Sequence, residues 1–361
     1  MAVGPETFPS QMHPVAGFKL GVASAGIKTP GRRDVVLMEV APESTVAGVF
    51  TLNAFCAAPV QICKRHLETH GARYLLTNTG NANAGTGAQG MSDAERCVAA
   101  VADLCGVASE EVLPFSTGVI GEPLPVDKIL AVLGDAKADL KEDNWKLAAE
   151  GILTTDTRLK GASAQIEIGG ETITITGISK GSGMIQPNMA TMLGYVATDA
   201  KIAQPLLQQL LTNSTNRSFN RITVDSDTST NDSCILAATG ASGVEVSSDE
   251  DIATFAQAFD QVMVELAHAI VRDGEGATKL LEVKVKNAKS KQDAKKIAKT
   301  IVTSNLVKCA MFGNDPNWGR IMCAIGNSNA HFKEDKVNIV IQKKLIVKNG
   351  IKITTFKPKR F

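Results

Sequence analysis

The sequence has no C-x-x-C pair, no long apolar run and no Lys or Arg before Lys19. Its seven cysteines are scattered and odd in number, which disfavours a zinc site and a disulfide framework and predicts mostly buried thiols. No apolar run approaches the ~18 residues that a membrane span needs. Residues 1–14 lack a basic n-region and an apolar h-region, so we expect no secretory signal and a cytoplasmic location.

Acidic residues are absent from the last 21 positions of the chain, where six Lys and one Arg lie. Removing these seven from the total of 38 basic residues leaves 31 against 37 acidic residues, so residues 1–340 carry a net charge of −6. A mildly acidic body is a poor match for nucleic acid. The basic end also shows a strand pattern with Lys on one face, which indicates folded strands and not a nucleic-acid-binding tail.

The 361 residues exceed what one hydrophobic core usually organises, and strand-like runs alternate with amphipathic helical segments. The pattern predicts strands over 35–40 and 74–78 and a helix over 92–104, with Ser92 and Glu95 forming a capping box. Gly169-Gly170 predicts a hairpin turn between strands at 166–168 and 172–176.

The second half of the chain has the same mixed character. Pro205 predicts the start of one helix, and a longer helix is expected from Ser247, capped with Glu250, to Arg272, where Gly274 ends it. The further predictions are a strand at 281–285, a helix near 290–304, a strand at 337–341 and a hairpin over 345–355 around Asn349-Gly350. Together these elements predict a layered α/β (α+β) fold with two domains.

The most unusual segment is residues 180–192, KGSGMIQPNMATM. Gly181 and Gly183 permit positive φ, and a small Ala190 precedes Thr191. If Thr191 Oγ attacked the Ala190 carbonyl, an N-to-O acyl shift and hydrolysis would make Thr191 a new N-terminus. A terminal threonine is a self-contained nucleophile, because its own α-amine can take the hydroxyl proton. The alternative is an ordinary Gly- and Pro-rich loop leading into a helix.

This segment and six others resemble the ornithine acetyltransferase family (glutamate N-acetyltransferase, ArgJ). The other segments are residues 17–53, 77–94, 115–125, 218–233, 272–279 and 312–321. The resemblance implies a DmpA/ArgJ-like layered fold in which helices sandwich mixed sheets. It also implies self-cleavage between Ala190 and Thr191, giving an N-terminal chain of residues 1–190 and a C-terminal chain of residues 191–361.

The resemblance assigns roles to individual residues. The family's nucleophile falls on Thr191, and its oxyanion-hole donors fall on Thr117 and Gly118. Its substrate contacts fall on Thr154, Lys180, Thr191 and Glu275. Lys180 suits the α-carboxylate shared by acetylornithine and glutamate, and Glu275 suits an amine or a proton transfer. Without the resemblance, Thr117-Gly118 would be interpreted as a strand-ending turn, and Lys180 and Glu275 as solvated charges.

The reaction that the resemblance implies is a ping-pong transfer of acetyl from N2-acetylornithine to glutamate through an acetyl-threonine ester in arginine biosynthesis. Some family members also use acetyl-CoA as donor, acting as an amino-acid N-acetyltransferase. No cofactor and no metal are implied, the cleaved chains are expected to assemble as α2β2, and the partners are small molecules, without nucleic acid or membrane.

Two alternatives remain at the level of the sequence. Related self-cleaving enzymes of the threonine-nucleophile class are aminopeptidases, in which water replaces glutamate. The chain could also be processed but poorly active, because a C-terminal family segment that contributes an Asn and a Thr to the substrate site has no match, and the likeness is expected to end near residue 340.

Residues 225–232, DSDTSTND, are rich in oxygen ligands and suggest Ca²⁺ or Mg²⁺. The stretch lacks the Gly at position six and the Glu at position twelve of an EF-hand loop. A metal site is therefore disfavoured, and the family resemblance implies that this stretch is a structural turn region near the site.

Overall fold

The computed structural model describes residues 2–186 and 192–353. The chain divides into two compact units, one comprising Ala2–Glu275 and the other beginning at Gly276. The predicted cleavage point, between Ala190 and Thr191, lies outside the described residues.

The first unit contains nine described strands and seven described α-helices. The strands are β1 (Phe18–Ala23), β2 (Val35–Val40), β3 (Thr45–Phe50), β4 (Tyr74–Asn81), β5 (Val112–Val119), β6 (Gly161–Ile168), β7 (Glu171–Lys180), β8 (Leu193–Thr198) and β9 (Ser233–Ala238). The helices are α1 (Ala58–Thr69), α2 (Gly87–Cys105), α3 (Val126–Ala131), α4 (Leu133–Ala138), α5 (Trp145–Gly151), α6 (Gln204–Arg217) and α7 (Asp249–Arg272).

These strands form two mixed sheets. The four-stranded sheet has the order β1-β2-β4-β5, in which only the β4–β5 pair is parallel. The five-stranded sheet has the order β3-β9-β8-β7-β6, in which only β8–β9 is parallel. Strand β2, VVLMEV, is buried on both faces, which explains why its sequence is nearly continuously apolar and does not alternate.

The two sheets pack face to face and helices cover their outer faces, so the unit has four layers. Phe18, Met38, Ile178 and Tyr195 are among the side chains of the core between the sheets. Helices α2, α3 and α4 enclose a second core on the four-stranded sheet, and α6 and α7 enclose a third on the five-stranded sheet. The predicted layered fold of mixed sheets between helices is confirmed.

Several predicted elements of this unit are confirmed. Strand β2 has the predicted bounds, and β4 extends the predicted 74–78 strand to Asn81. Gly169 and Gly170 form the turn between β6 and β7, with φ of 63° and 85°. Helix α6 carries its proline in the first turn.

One predicted helix start and one predicted cap are wrong, whereas the predicted end of α7 at Arg272 is confirmed. Helix α2 begins at Gly87, a turn and a half before Ser92. It extends this far because Gly90 packs against the loop before it: a Cβ at Gly90 would lie 1.8 Å from Thr86 Oγ1. In α7 the capping side chain is Ser248 and not Ser247, because Ser248 Oγ accepts the Asp251 N–H at 3.1 Å.

The second unit contains α8 (Lys291–Thr303), α9 (Asn305–Phe312), α10 (Trp318–Gly326) and an antiparallel sheet of β10 (Ile339–Ile341), β11 (Lys344–Lys348) and β12 (Ile351–Lys352). Helix α8 and the hairpin around Asn349-Gly350 are confirmed. Residues 281–285 form no strand. Val283 and Val285 nevertheless pack against the core of this unit, so their alternation reflects burial without strand pairing.

The cysteines only partly follow the sequence-based expectation. Cys63, Cys97 and Cys234 are buried, whereas Cys309 and Cys323, in α9 and α10, are exposed. These helices belong to a small unit and bury one face only. Within residues 2–186 and 192–353, no helix is long and apolar enough to cross a membrane.

Candidate active site

Three of the predicted site residues meet where strands of the two sheets end. Lys180 is the last residue of β7, Thr117 lies near the end of β5, and Thr154 follows α5. Lys180 Nζ donates to Thr117 Oγ1 at 3.1 Å and to Thr154 Oγ1 at 2.8 Å. Lys180 is only 8% exposed, so it is not the solvated charge that its Gly-rich surroundings would otherwise suggest. The ammonium is thereby held between two hydroxyl groups.

The electrostatic environment of Lys180 is set by burial and by neighbouring charges. Burial lowers the pKa of its ammonium, and the positive charge of Lys160 adds to this. The negative charges of Asp156, Asp232 and Glu275 act in the opposite direction and favour the protonated form.

Asp156 is the residue that connects these groups, and its side chain is fully buried. Its Oδ1 accepts hydrogen bonds from Lys160 Nζ and from the Gly181 N–H, each at 2.7 Å, and its Oδ2 accepts the Thr154 N–H at 3.1 Å. Burial raises the pKa of this carboxyl, but the charges of Lys180 and Lys160 together with these hydrogen bonds outweigh it and hold the pKa at about 2. Asp156 is therefore ionised at neutral pH.

A second buried carboxylate, Asp273, completes an ion cluster with Lys160. Lys160 Nζ donates to Asp273 Oδ2 at 2.7 Å, and the same oxygen accepts the backbone N–H groups of Thr157 and Arg158. The Asp273 carbonyl oxygen accepts Ser182 Oγ–H at 2.6 Å. The carboxylate thus anchors the 157–158 backbone, and the carbonyl anchors the turn that follows Lys180.

Sequence reasoning missed Asp156, which bonds directly to the site residues, and the buried Lys160 and Asp273 that pack behind it. Two signals were present: Asp156 follows Thr154 by two positions, and Asp273 belongs to the 272–279 segment that carries the family resemblance. The shared partner, Lys160, could not be inferred from spacing, because Asp273 lies 113 positions away from it.

Glu275 is exposed and lies against the same turn. Its Oε1 accepts a hydrogen bond from Thr155 Oγ1 at 2.6 Å, and its N–H donates to the Ser182 carbonyl at 2.9 Å. A Cβ at Gly183 would lie 2.6 Å from the Glu275 carboxylate, so the glycine lets this carboxylate approach the turn closely. The structure therefore brings Glu275 beside Thr155, the neighbour of Thr154, and it contacts the turn after Lys180.

Gly118 occupies a position that no other residue can take without rearrangement. Its φ is +141°, and a Cβ would lie 2.3 Å from the carbonyl carbon of Gly80 on β4. The loop before β9 also contacts this region, because Asn231 Nδ2 donates to the carbonyl of Ser116 in β5 at 3.0 Å and to that of Ala82, just after β4, at 2.6 Å. The Thr117-Gly118 peptide is thus placed by close backbone packing.

The oxygen-rich stretch 225–232 contacts the backbone of residues 184–186. Asp225 accepts the N–H groups of Met184 and Ile185 at 2.5 and 2.9 Å, and Thr228 Oγ1 donates to the Gln186 carbonyl at 2.8 Å. Among the described residues, no group of three or more His, Cys, Asp or Glu is arranged to hold a metal ion. The stretch acts as a support for the segment that leads toward Ala190.

Ala190 and Thr191 lie outside the described residues. The described positions on either side are Gln186 and Met192, and the Met192 carbonyl accepts the Ser233 N–H at 2.8 Å. Leu193, the first residue of β8, pairs with Lys180 in the antiparallel β7–β8 ladder.

Comparison with known proteins gives matches over nearly the whole chain. The ArgJ family model matches residues 19–360. Arginine biosynthesis bifunctional protein ArgJ of Pseudomonas fluorescens (strain Pf0-1) is 53% identical over 360 residues, which is 99% of this chain and 88% of the relative. The protein of the same name from Pseudomonas syringae pv. tomato is 52% identical with the same coverage.

Among solved structures, ornithine acetyltransferase complexed with ornithine from Mycobacterium tuberculosis is 34% identical. That match covers 51% of this chain and 98% of the other, with a TM-score of 0.44. The family match continues to residue 360, so the expectation that the likeness ends near residue 340 is wrong: the basic end of the chain lies inside it.

Proposed function

The chain belongs to the ArgJ family, and from this premise we propose that it is a glutamate N-acetyltransferase (ornithine acetyltransferase) of arginine biosynthesis. It moves acetyl from N2-acetylornithine to glutamate through an ester on Thr191. The observation that carries the proposal is the cluster in which Lys180 Nζ donates to the hydroxyls of Thr117 and Thr154. Lys180 ends β7, Thr117 lies near the end of β5, and Thr154 follows α5.

Because Lys180 donates a hydrogen bond to Thr117, the hydroxyl hydrogen of Thr117 is available for donation to an oxyanion. A hydroxyl has one donor and two acceptor positions, and Thr117 Oγ1 uses an acceptor position for the ammonium. Its own hydrogen can then be donated to a developing oxyanion, and the adjacent positive charge strengthens that donation. The Gly118 N–H is the second donor of the proposed oxyanion hole, and one such donor can be worth about 3 to 4 kcal/mol.

The proposed nucleophile lies close in the sequence to the strand that pairs with β7. Thr191 precedes Leu193 by two residues, and Leu193 pairs with Lys180. In the proposal, Thr191 Oγ first attacks the Ala190 carbonyl and the resulting ester is hydrolysed. The freed α-amine of Thr191 then serves as the base for its own hydroxyl.

The proposed transfer has two half-reactions. Thr191 Oγ attacks the acetyl carbonyl of N2-acetylornithine, Thr117 and Gly118 stabilise the tetrahedral oxyanion, and the Thr191 amine passes the proton to the departing α-amine of ornithine. The α-amine of glutamate then attacks the carbonyl of the acetyl-threonine ester. The amine gives up a proton, the Thr191 oxygen takes one up as the ester bond breaks, and N-acetylglutamate is released.

The remaining site residues account for recognition of the substrates. Lys180 pairs with the α-carboxylate that both substrates carry, with Thr154 beside it. Glu275, which is exposed and negatively charged, contacts the side-chain amine of ornithine. The proposal includes acetyl-CoA as a second acetyl donor, no cofactor and no metal, an α2β2 assembly of the cleaved chains, and a cytoplasmic location.

Intact-mass measurement combined with an activity assay tests the proposed function. The expected result is two chains, of residues 1–190 and 191–361, the second with an N-terminal threonine, together with N-acetylglutamate formed from acetylornithine and glutamate. A single uncut chain would remove the basis of the mechanism. Cleavage with ornithine release that does not depend on glutamate would identify a hydrolase of the related class, and cleavage without either product would identify a processed but inactive chain.

A further inference from the structure

We propose that Asp156 is a positioning residue for this reaction, holding the Lys180 ammonium and the Gly181 peptide in the arrangement that binds substrate. This proposal rests on the proposed function, because Lys180 is the residue through which Asp156 acts. The Asp156 side chain is fully buried, and each of its carboxylate oxygens accepts a hydrogen bond from the protein.

The hydrogen bonds of Asp156 connect the two residues that flank the ammonium. Its Oδ2 accepts a hydrogen bond from the Thr154 N–H, and the Thr154 hydroxyl oxygen accepts one from Lys180 Nζ. Through Oδ1 it accepts the N–H of Gly181, the residue directly after Lys180. The Asp156 carboxylate therefore links the backbone of Thr154, a hydrogen-bond partner of Lys180, to the backbone of Gly181, which directly follows Lys180.

Asp156 also places a negative charge near the buried ammonium of Lys180. The charged groups that face Lys180 are Asp156, Asp232 and Glu275, which favour its protonated form, and Lys160, which disfavours it. Asp156 makes the largest of these contributions. The attraction between the Asp156 carboxylate and the Lys180 ammonium is strong, because both groups are buried and solvent screens their charges poorly.

Asp273 offers a matched comparison within the same ion cluster. Both carboxylates are buried, and both lie 2.7 Å from Lys160 Nζ. The remaining carboxylate bonds of Asp273 go to Thr157 and Arg158, not to Thr154 or Gly181. Loss of charge at either position breaks one buried ion pair, but of the two carboxylates only that of Asp156 bonds to Thr154 and Gly181 beside Lys180.

The test compares Asp156→Asn with Asp273→Asn in the cleaved enzyme, using acetylornithine and glutamate. We expect Asp156→Asn to raise the KM for acetylornithine about tenfold with a smaller change in kcat, because ground-state binding is weakened. The alkaline limb of its kcat/KM profile should move about one pH unit toward acid, since Lys180 loses its proton earlier without the neighbouring negative charge. Asp273→Asn should lower the unfolding midpoint to a similar extent while leaving KM and the alkaline limb near those of the wild type.

A variant with the opposite expected shift of the alkaline limb keeps the test decisive if Asp156→Asn yields no folded, cleaved enzyme. Lys160→Gln removes the positive charge that faces Lys180, so the alkaline limb should move toward higher pH. A wild-type KM and pH profile in Asp156→Asn, equal kinetic changes in both Asp variants, or no alkaline shift in Lys160→Gln would overturn the proposal. An inactive wild type would instead contradict the proposed function, so the two failures are distinguishable.

Discussion

Lys180 Nζ and Thr117 Oγ1 lie 3.1 Å apart, although the two residues belong to different sheets and are 63 positions apart in the chain. Their hydrogen bond forms because the two sheets pack face to face with the ends of β5 and β7 adjacent. The carboxylate-binding cation and the oxyanion donor of the proposed reaction are thus one hydrogen-bonded unit, and changes to either should affect both functions.

Replacement of Thr191 tests the dual role of one oxygen. Thr191→Ala should abolish both cleavage and acetyl transfer, because it lacks the hydroxyl that serves as nucleophile in each. Thr191→Ser keeps the hydroxyl and the α-amine and should retain part of each activity. Intact mass and a transfer assay measure the two outcomes, and persistent transfer by the Ala variant would exclude Thr191 as the nucleophile.

Replacement of Thr117 tests the oxyanion role against a purely structural one. Thr117→Val keeps the shape but removes the hydroxyl, and we expect kcat to fall on the order of 10²-fold. Thr117→Ser restores a hydroxyl that can accept from Lys180 and should recover most of that loss. Equal kcat values for the Val and Ser variants would show that the hydroxyl does not contribute to the transition state.

The close backbone approach at Gly118 predicts a stability effect that has an internal control. Gly118→Ala places a Cβ 2.3 Å from the Gly80 carbonyl carbon, whereas Gly121, also at positive φ (+83°), has open space around its Cβ position. We expect Gly121→Ala to cost about 1 kcal/mol from backbone strain alone and Gly118→Ala about 2 to 4 kcal/mol. Chemical denaturation of both variants measures this, and equal costs would contradict the predicted clash.

The acid stability of the protein should carry a contribution from Asp156. Its pKa in the folded chain is about 2, below its ordinary value of 3.8, so the folded state binds the proton less readily than the unfolded state. The resulting stabilisation is about 2 kcal/mol, is complete above pH ~5, and is lost as pH falls through the folded pKa, with about 1 kcal/mol gone by pH 3.

Urea unfolding of wild type and Asp156→Asn between pH 5 and 3 checks this contribution. The difference in unfolding free energy between the two proteins should narrow as the pH falls, because only the wild type loses the stabilisation by protonation at this position. Parallel stability curves over that interval would show that the pKa of Asp156 is not depressed in the folded chain.

Local signals in the sequence predicted local features correctly. The Gly169-Gly170 turn, the Asn349-Gly350 turn and the strand over 35–40 follow from backbone freedom and apolar runs that neighbouring residues alone decide. The start of α2 did not follow from its capping pattern, because the packing of Gly90 against Thr86 extends the helix backward. Val283 and Val285 show the same limit, since burial alternates there without a partner strand.

By itself the sequence determined the layered fold class, the family resemblance and the identity of Thr117, Thr154, Lys180 and Glu275 as site candidates, because these depend on residue types and short motifs. Only the tertiary structure decided that Lys180 is buried between two hydroxyls, that Asp156 bonds to the residues beside it, and that Asp156 and Asp273 share Lys160. Most of those contacts join residues that are far apart in the chain, by 25, 26, 63 and 113 positions. They exist because sheet packing brings the strand ends together and withdraws their charges from water, which spacing along a chain cannot reveal.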